Sequence, residues 1–136
     1  MAAAGRERPP IDWDSLTFSF TETDRMFVAN GSWEDGWSEG RMVDFQPLNL
    51  SPAACVLNYG QGLFEGMKAR RTPDGKITLF RPEMNARRAA EGARRLVMPE
   101  VSESMFIKAV KKVFSYLYET RDLGIRAPLY MEEQHI

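Results

Sequence analysis

Between Met105 and Tyr118 the apolar residues return every three to four positions. Met105, Phe106, Ala109, Val110, Val113, Phe114, Leu117 and Tyr118 form one stripe, with Lys108, Lys111, Lys112 and Ser115 opposite. That period belongs to an amphipathic helix with one buried face. Ser102 stands where an N-cap belongs, so the spacing predicts a helix over 102–119. The stretch "RPEMNARRAAEGARRLVM" predicts a second helix over 82–97, with Pro82 in its first turn. Gly92 costs that helix about 1 kcal/mol relative to alanine.

Upstream the pattern is that of strands. "DRMFVAN" and "GRMVDFQ" predict strands over 24–30 and 40–46, joined by the turn "GSWEDGW". "MKARR" and "KITLF" flank "TPDG", a strong hairpin signal, and predict strands over 67–72 and 76–81. The alternation in "KITLF" is blunted, as expected for a strand covered on both faces. Strands first and helices after argue α+β, with a mixed or antiparallel sheet and two helices.

Composition narrows the function classes. The 136 residues are about one domain in length. A net charge of −1 gives no bulk field directed at nucleic acid or an anionic membrane. The single cysteine, Cys55, rules out an internal disulfide framework and fits a reducing compartment. No apolar run reaches the roughly 20 residues of a membrane-spanning helix. "MAAAGRERPP" lacks the apolar core of a secretory signal, so residues 1–10 are expected to be a disordered tail and the location cytoplasmic. No metal-ligating pattern is read.

The stretch "NYGQGLFEGMKA", residues 58–69, places three glycines ahead of a lysine. A Walker loop needs Gly-Lys followed by a hydroxyl residue, but Lys68 follows Met67 and precedes Ala69. A dinucleotide loop needs G-x-G-x-x-G, and Gly60, Gly62 and Gly66 are one residue too widely spaced. The glycines are better explained as backbone that turns tightly and presents Tyr59 and Phe64. On the residues alone, both aromatics read first as core residues in a Gly-rich turn.

"LNYGQGLFEGMKA", then "DGKITLFRPEMNARR", then "RLVMPEV" resembles the N-terminal part of a branched-chain amino-acid aminotransferase, a fold-type IV pyridoxal-phosphate enzyme. "IDWDSLTFSFTETDRMFVANG" and "PLNLSPAACVLNYG" agree with the same family, and the likeness runs in order from about Ile11 to about Phe114. The resemblance implies the small N-terminal domain of that architecture over 11–120. It implies pyridoxal phosphate as cofactor, leucine, isoleucine or valine and 2-oxo acids as substrates, and a homodimer in the full-length enzyme.

Arg88 matches the arginine that holds the cofactor phosphate in that family. The sequence alone does not single it out, because Arg87, Arg88, Arg94 and Arg95 also read as a solvated basic face; helical spacing puts Arg88 and Arg95 on a common side, away from Ala86, Ala89, Ala90, Ala93 and Val97. Phe18, Tyr59 and Phe64 match aromatics that wall the substrate side-chain pocket, and the glycines would turn Tyr59 and Phe64 toward one cavity. Tyr130 matches a substrate-site tyrosine by spacing, although Glu132 stands where an arginine is expected. None of Lys68, Lys76, Lys108, Lys111 or Lys112 matches the family's Schiff-base lysine, so no catalytic residue is assigned. Residues 121–136 depart from the family and are expected to be an irregular tail, with the C-terminal catalytic domain absent and cofactor binding weak or absent. The alternatives are a fragment of another fold-type IV enzyme, such as a D-amino-acid aminotransferase or aminodeoxychorismate lyase, or a non-catalytic dimerising module.

Overall fold

The computed structural model describes residues 23–120 and 126–131. The expected tail over 1–10 and the aromatic Phe18 lie outside these residues. The elements run β1 (Arg25–Val28), β2 (Gly31–Ser32), β3 (Gly36–Trp37), β4 (Arg41–Asp44), α1 (Cys55–Tyr59), β5 (Leu63–Arg71), β6 (Ile77–Leu79), α2 (Pro82–Arg95), α3 (Glu103–Thr120) and β7 (Arg126–Met131). This is the expected α+β class. Among the described residues every strand pair is antiparallel, and three small sheets stand where one was expected.

β1 pairs with β4, Arg25 opposite Asp44 and Val28 opposite Arg41. Their connection carries a hairpin of its own, β2 with β3. β5 is the central strand of the third sheet, in the order β6-β5-β7. The β5–β6 turn closes as "TPDG" predicts. Thr72 N donates to Lys76 O at 2.8 Å, and Gly75 takes a left-handed φ of 83°.

From Met105 to Phe114 the stripe of α3 is buried or half-buried, as its period requires; the side chains of Leu117 and Tyr118 lie outside those described. Phe106, Val110 and Phe114 are 2%, 3% and 5% exposed and share a core with Ala86, Ala89 and Val101. Full burial of a phenylalanine contributes about 1.5–3 kcal/mol, so these positions dominate the packing. Leu63, Met67 and Leu79 lay the third sheet against this core. Ser102 caps α3, its Oγ accepting from Met105 N at 3.2 Å. The first hairpins also dock here: Trp37 packs on the core and its Nε1 donates to Glu100 O at 3.1 Å.

Four details differ from the sequence expectation. Residues 126–131, expected to be irregular, form β7 on the free edge of β5; Pro128 is compatible with an edge strand, where a missing N–H is tolerated. The short α1 has no sequence period to announce it, being barely more than one turn. Phe80 is 82% exposed, so among the described residues "KITLF" is not covered on both faces. Finally, α2 ends at Arg95, and Val97 leaves the apolar face. Met98 N donates to Ala93 O at 2.8 Å and Val97 N to Arg94 O at 3.2 Å, the two bonds of a Schellman turn. That turn puts Val97 at φ 56°, 69% exposed, and folds Met98 inward to 2%.

Candidate functional site

The glycine stretch leaves α1 at Gly60, whose φ of 63° and ψ of 26° form a left-handed C-cap that a side chain would strain. Gln61 follows and ties the turn to the end of α2, its Nε2 donating to Leu96 O at 2.7 Å. The chain then enters β5, four residues earlier than the predicted strand. Lys68 is a strand residue, as expected, and Gly66 lies within the strand with open space beside its Cα.

The pleat of β5 sorts the site residues by parity. Phe64, Gly66, Lys68 and Arg70 are exposed. Leu63, Glu65, Met67 and Ala69 alternate with them and are covered, Leu63, Met67 and Ala69 by the helical core. A carboxylate at an inner position needs partners, because an unpaired buried charge is costly. Glu65 is 6% exposed, and α2 supplies the partners. Arg88 Nε donates to Oε1 at 2.6 Å and Arg88 Nη2 to Oε2 at 2.8 Å. Asn85 Nδ2 donates to Oε2 at 2.7 Å and to Gly66 O at 3.0 Å.

This separates Arg88 from its neighbours. Arg87 meets Glu103, Arg94 meets Glu100 and Arg95 meets Glu91, and those glutamate side chains are 46%, 42% and 56% exposed. Arg94 makes the same two-bond fork, donating to Glu100 Oε1 at 2.8 Å and Oε2 at 2.7 Å, but that carboxylate is open to solvent, where ion pairs contribute little. Only Arg88 among the four is seated on a buried carboxylate, while its own side chain stays 69% exposed. The hydrogen bonds to Glu65, then its charge, raise the affinity of Arg88 for its proton. The pair uses two of five guanidinium N–H groups, so three remain to meet an oxyanion.

The aromatics are placed differently. Tyr59 is 84% and Phe64 79% exposed, and neighbours in sequence on a strand put Phe64 and Glu65 on opposite faces of β5. Tyr130 takes the register position opposite Phe64. A shallow groove of about 780 Å³ runs between β4 and α3, lined in part by Arg41, Met42, Ile107, Lys111 and Tyr116, and holds none of the expected site residues. Among the described residues no group of His, Cys, Asp and Glu is arranged to hold a metal, and no helix is long and apolar enough to cross a membrane.

Known proteins align with this segment. A methionine aminotransferase of Arabidopsis thaliana, BCAT4, is 48% identical over 103 residues, covering 76% of this chain and 29% of the relative. The chloroplastic branched-chain amino acid aminotransferase 2 of Humulus lupulus is 50% identical over 105 residues, covering 77% and 26%. A branched-chain-amino-acid aminotransferase of Haemophilus influenzae is 44% identical over 104 residues, covering 76% and 30%. The chain matches the N-terminal part of the branched-chain amino-acid aminotransferase family. No protein-family model matches it. It spans between 26% and 30% of the length of these relatives.

Arg88 was singled out in the sequence only through that family, and its partners Glu65 and Asn85 were not foreseen. A signal for Glu65 was present: in "LFEGMKA" it shares parity with Leu63, Met67 and Ala69. Starting the strand at residue 67 concealed it.

Proposed function

We propose that this chain supplies the N-terminal part of a pyridoxal-phosphate-dependent aminotransferase that moves the amino group of leucine, isoleucine or valine to 2-oxoglutarate. The supporting observation is the seat of Arg88, gripped along one edge by a buried carboxylate with the other edge exposed. A guanidinium so presented fits a phosphate, since its planar fork matches two oxygens at once. When bound, pyridoxal phosphate supplies the electron sink that labilises the substrate α-proton.

In this proposal Arg88 holds the cofactor phosphate and fixes its position. Phe18, Tyr59, Phe64 and Tyr130 form part of the wall that takes the substrate side chain and excludes water from it. Apolar walls suit aliphatic substrates because selection comes from burial. One charge-assisted contact contributes about 1.5–3 kcal/mol. That is below the cost of association, estimated at roughly 4 kcal/mol or more. The 136 residues alone therefore bind the cofactor weakly and do not transaminate. Homodimer assembly, a cytoplasmic location and the lack of nucleic-acid or membrane partners complete the proposal.

A chimera tests it. Residues 11–114 replace the corresponding part of the Haemophilus influenzae relative, and leucine turnover is measured beside that of the unfused chain. The chimera is expected to transaminate and the unfused chain to be inert. A folded, cofactor-loaded chimera without leucine turnover, or turnover by the chain alone, contradicts the proposal.

A further inference from the structure

We propose that Glu65 is the positioning residue for Arg88: its buried carboxylate holds the Nε and Nη2 edge of the guanidinium so that the opposite edge is set for a phosphate. The inference rests on the reading of Arg88 as the cofactor-phosphate contact.

An exposed arginine samples many rotamers. Packing does not immobilise Arg88, which is 69% exposed. Two parallel hydrogen bonds to one carboxylate do, because they fix both the position and the plane of the guanidinium. The carboxylate is itself held. It sits on the inner face of β5, and Asn85, three residues before Arg88 on α2, donates both to its Oε2 and to the next carbonyl, Gly66 O. Asn85 and Arg88 lie one helical turn apart and grip the same group.

An apolar side chain at position 65 would continue the pattern of Leu63, Met67 and Ala69 with no charge to desolvate. The carboxylate is explained by what it holds. It also places negative charge beside the proposed phosphate and so repels it. Removing that charge therefore has opposite effects under the two accounts. If Glu65 acts through its field alone, phosphate binding tightens; if it positions Arg88, binding weakens.

The test uses the chimera of residues 11–114 with the remainder of the Haemophilus influenzae relative, freed of cofactor, and NMR of its arginine side chains. The probes are pyridoxine 5′-phosphate, which carries the cofactor's phosphate but no aldehyde, and inorganic phosphate, each titrated at constant ionic strength. Without a substitution the Arg88 Nε–H signal is expected to stand apart from Arg87 and Arg95, which lack a two-bond fork, and to move with either probe. In Glu65→Gln that signal is expected to join the mobile arginines, and the dissociation constant to rise about tenfold, the scale of one side chain left to be ordered on binding. Glu65→Asp, which keeps the charge but withdraws the carboxylate by one methylene, is expected to weaken binding as well. Equal or tighter binding in Glu65→Gln overturns the positioning role and leaves the Arg88 reading standing. An Arg88 signal that responds to neither probe in the unsubstituted chimera overturns both. If Glu65→Gln does not fold, Glu65→Asp and Asn85→Ala decide, and unchanged affinity in both overturns the proposal.

Discussion

Phe64 and Tyr130 stand directly opposite each other across the antiparallel β5–β7 pairing. The register runs from Leu63 opposite Met131 to Lys68 opposite Arg126. It brings two of the proposed pocket residues, 66 positions apart in sequence, to one place on the sheet. β7 thus covers the edge of β5 that β6 leaves open, in the strand that carries both Phe64 and, on its opposite face, Glu65.

Hydrogen exchange checks that relationship. Amides of β5 that face β7 are expected to be protected in the full chain and to lose protection in a chain ending at residue 120. Those facing β6 are expected to keep theirs. Equal exchange along 63–68 in both chains would mean that β7 does not pair with β5.

Val97 offers a stability test. A β-branched residue in the left-handed region costs roughly 1–2 kcal/mol, and its 69% exposure means that little packing depends on the side chain. Glycine removes that strain but adds freedom to the unfolded chain, about 0.4–1 kcal/mol. Val97→Gly is therefore expected to gain about 0.5–1 kcal/mol, and Tm to rise by several degrees on the scale of about 4–8 °C per kcal/mol. A fall in Tm would show that Val97 holds the turn by contacts its exposure does not suggest.

The Arg94–Glu100 pair joins the end of α2 to the loop that receives Trp37. Hydrogen bonding from Arg94 is the main cause that holds the Glu100 carboxyl below its ordinary value of 4.5. A carboxyl depressed by folding stabilises the fold above its unfolded value, and the contribution disappears as pH falls through the folded value. Wild type is expected to melt above Glu100→Gln near neutral pH, and the difference to close well below pH 4.5. Both side chains are solvated, so added salt is expected to shrink the gap too. A gap that persists in acid would assign the effect to packing instead.

What the sequence made legible was local. The stripe of α3, its Ser102 cap and the "TPDG" hairpin each rest on contiguous residues, and the structure places all three as their patterns demand. The hidden features depend on distant partners or on backbone states. Glu65 meets Arg88 across 23 positions, and only the strand's parity hints at it. Val97 looked apolar and in phase, but the Schellman turn reverses the chain before the helical period reaches it. β7 was concealed because likeness to the family ends before it, while pairing requires only a free edge and an extended segment. Tyr59 and Phe64 were readable as core or as pocket wall, and their exposure removes the core reading within the described residues.

Arg88, alone among the four arginines of its helix, is proposed to meet the cofactor phosphate. The most direct measurement is pyridoxal-phosphate retention by the chimera carrying Arg87→Ala, Arg88→Ala or Arg94→Ala, read as the dissociation rate after dilution. Arg88→Ala is expected to speed loss by about tenfold or more, the equivalent of one charge-assisted contact of about 1.5–3 kcal/mol, while Arg87→Ala and Arg94→Ala remain near the parent. Equal effects from all three substitutions would contradict it and leave the helix a solvated basic face.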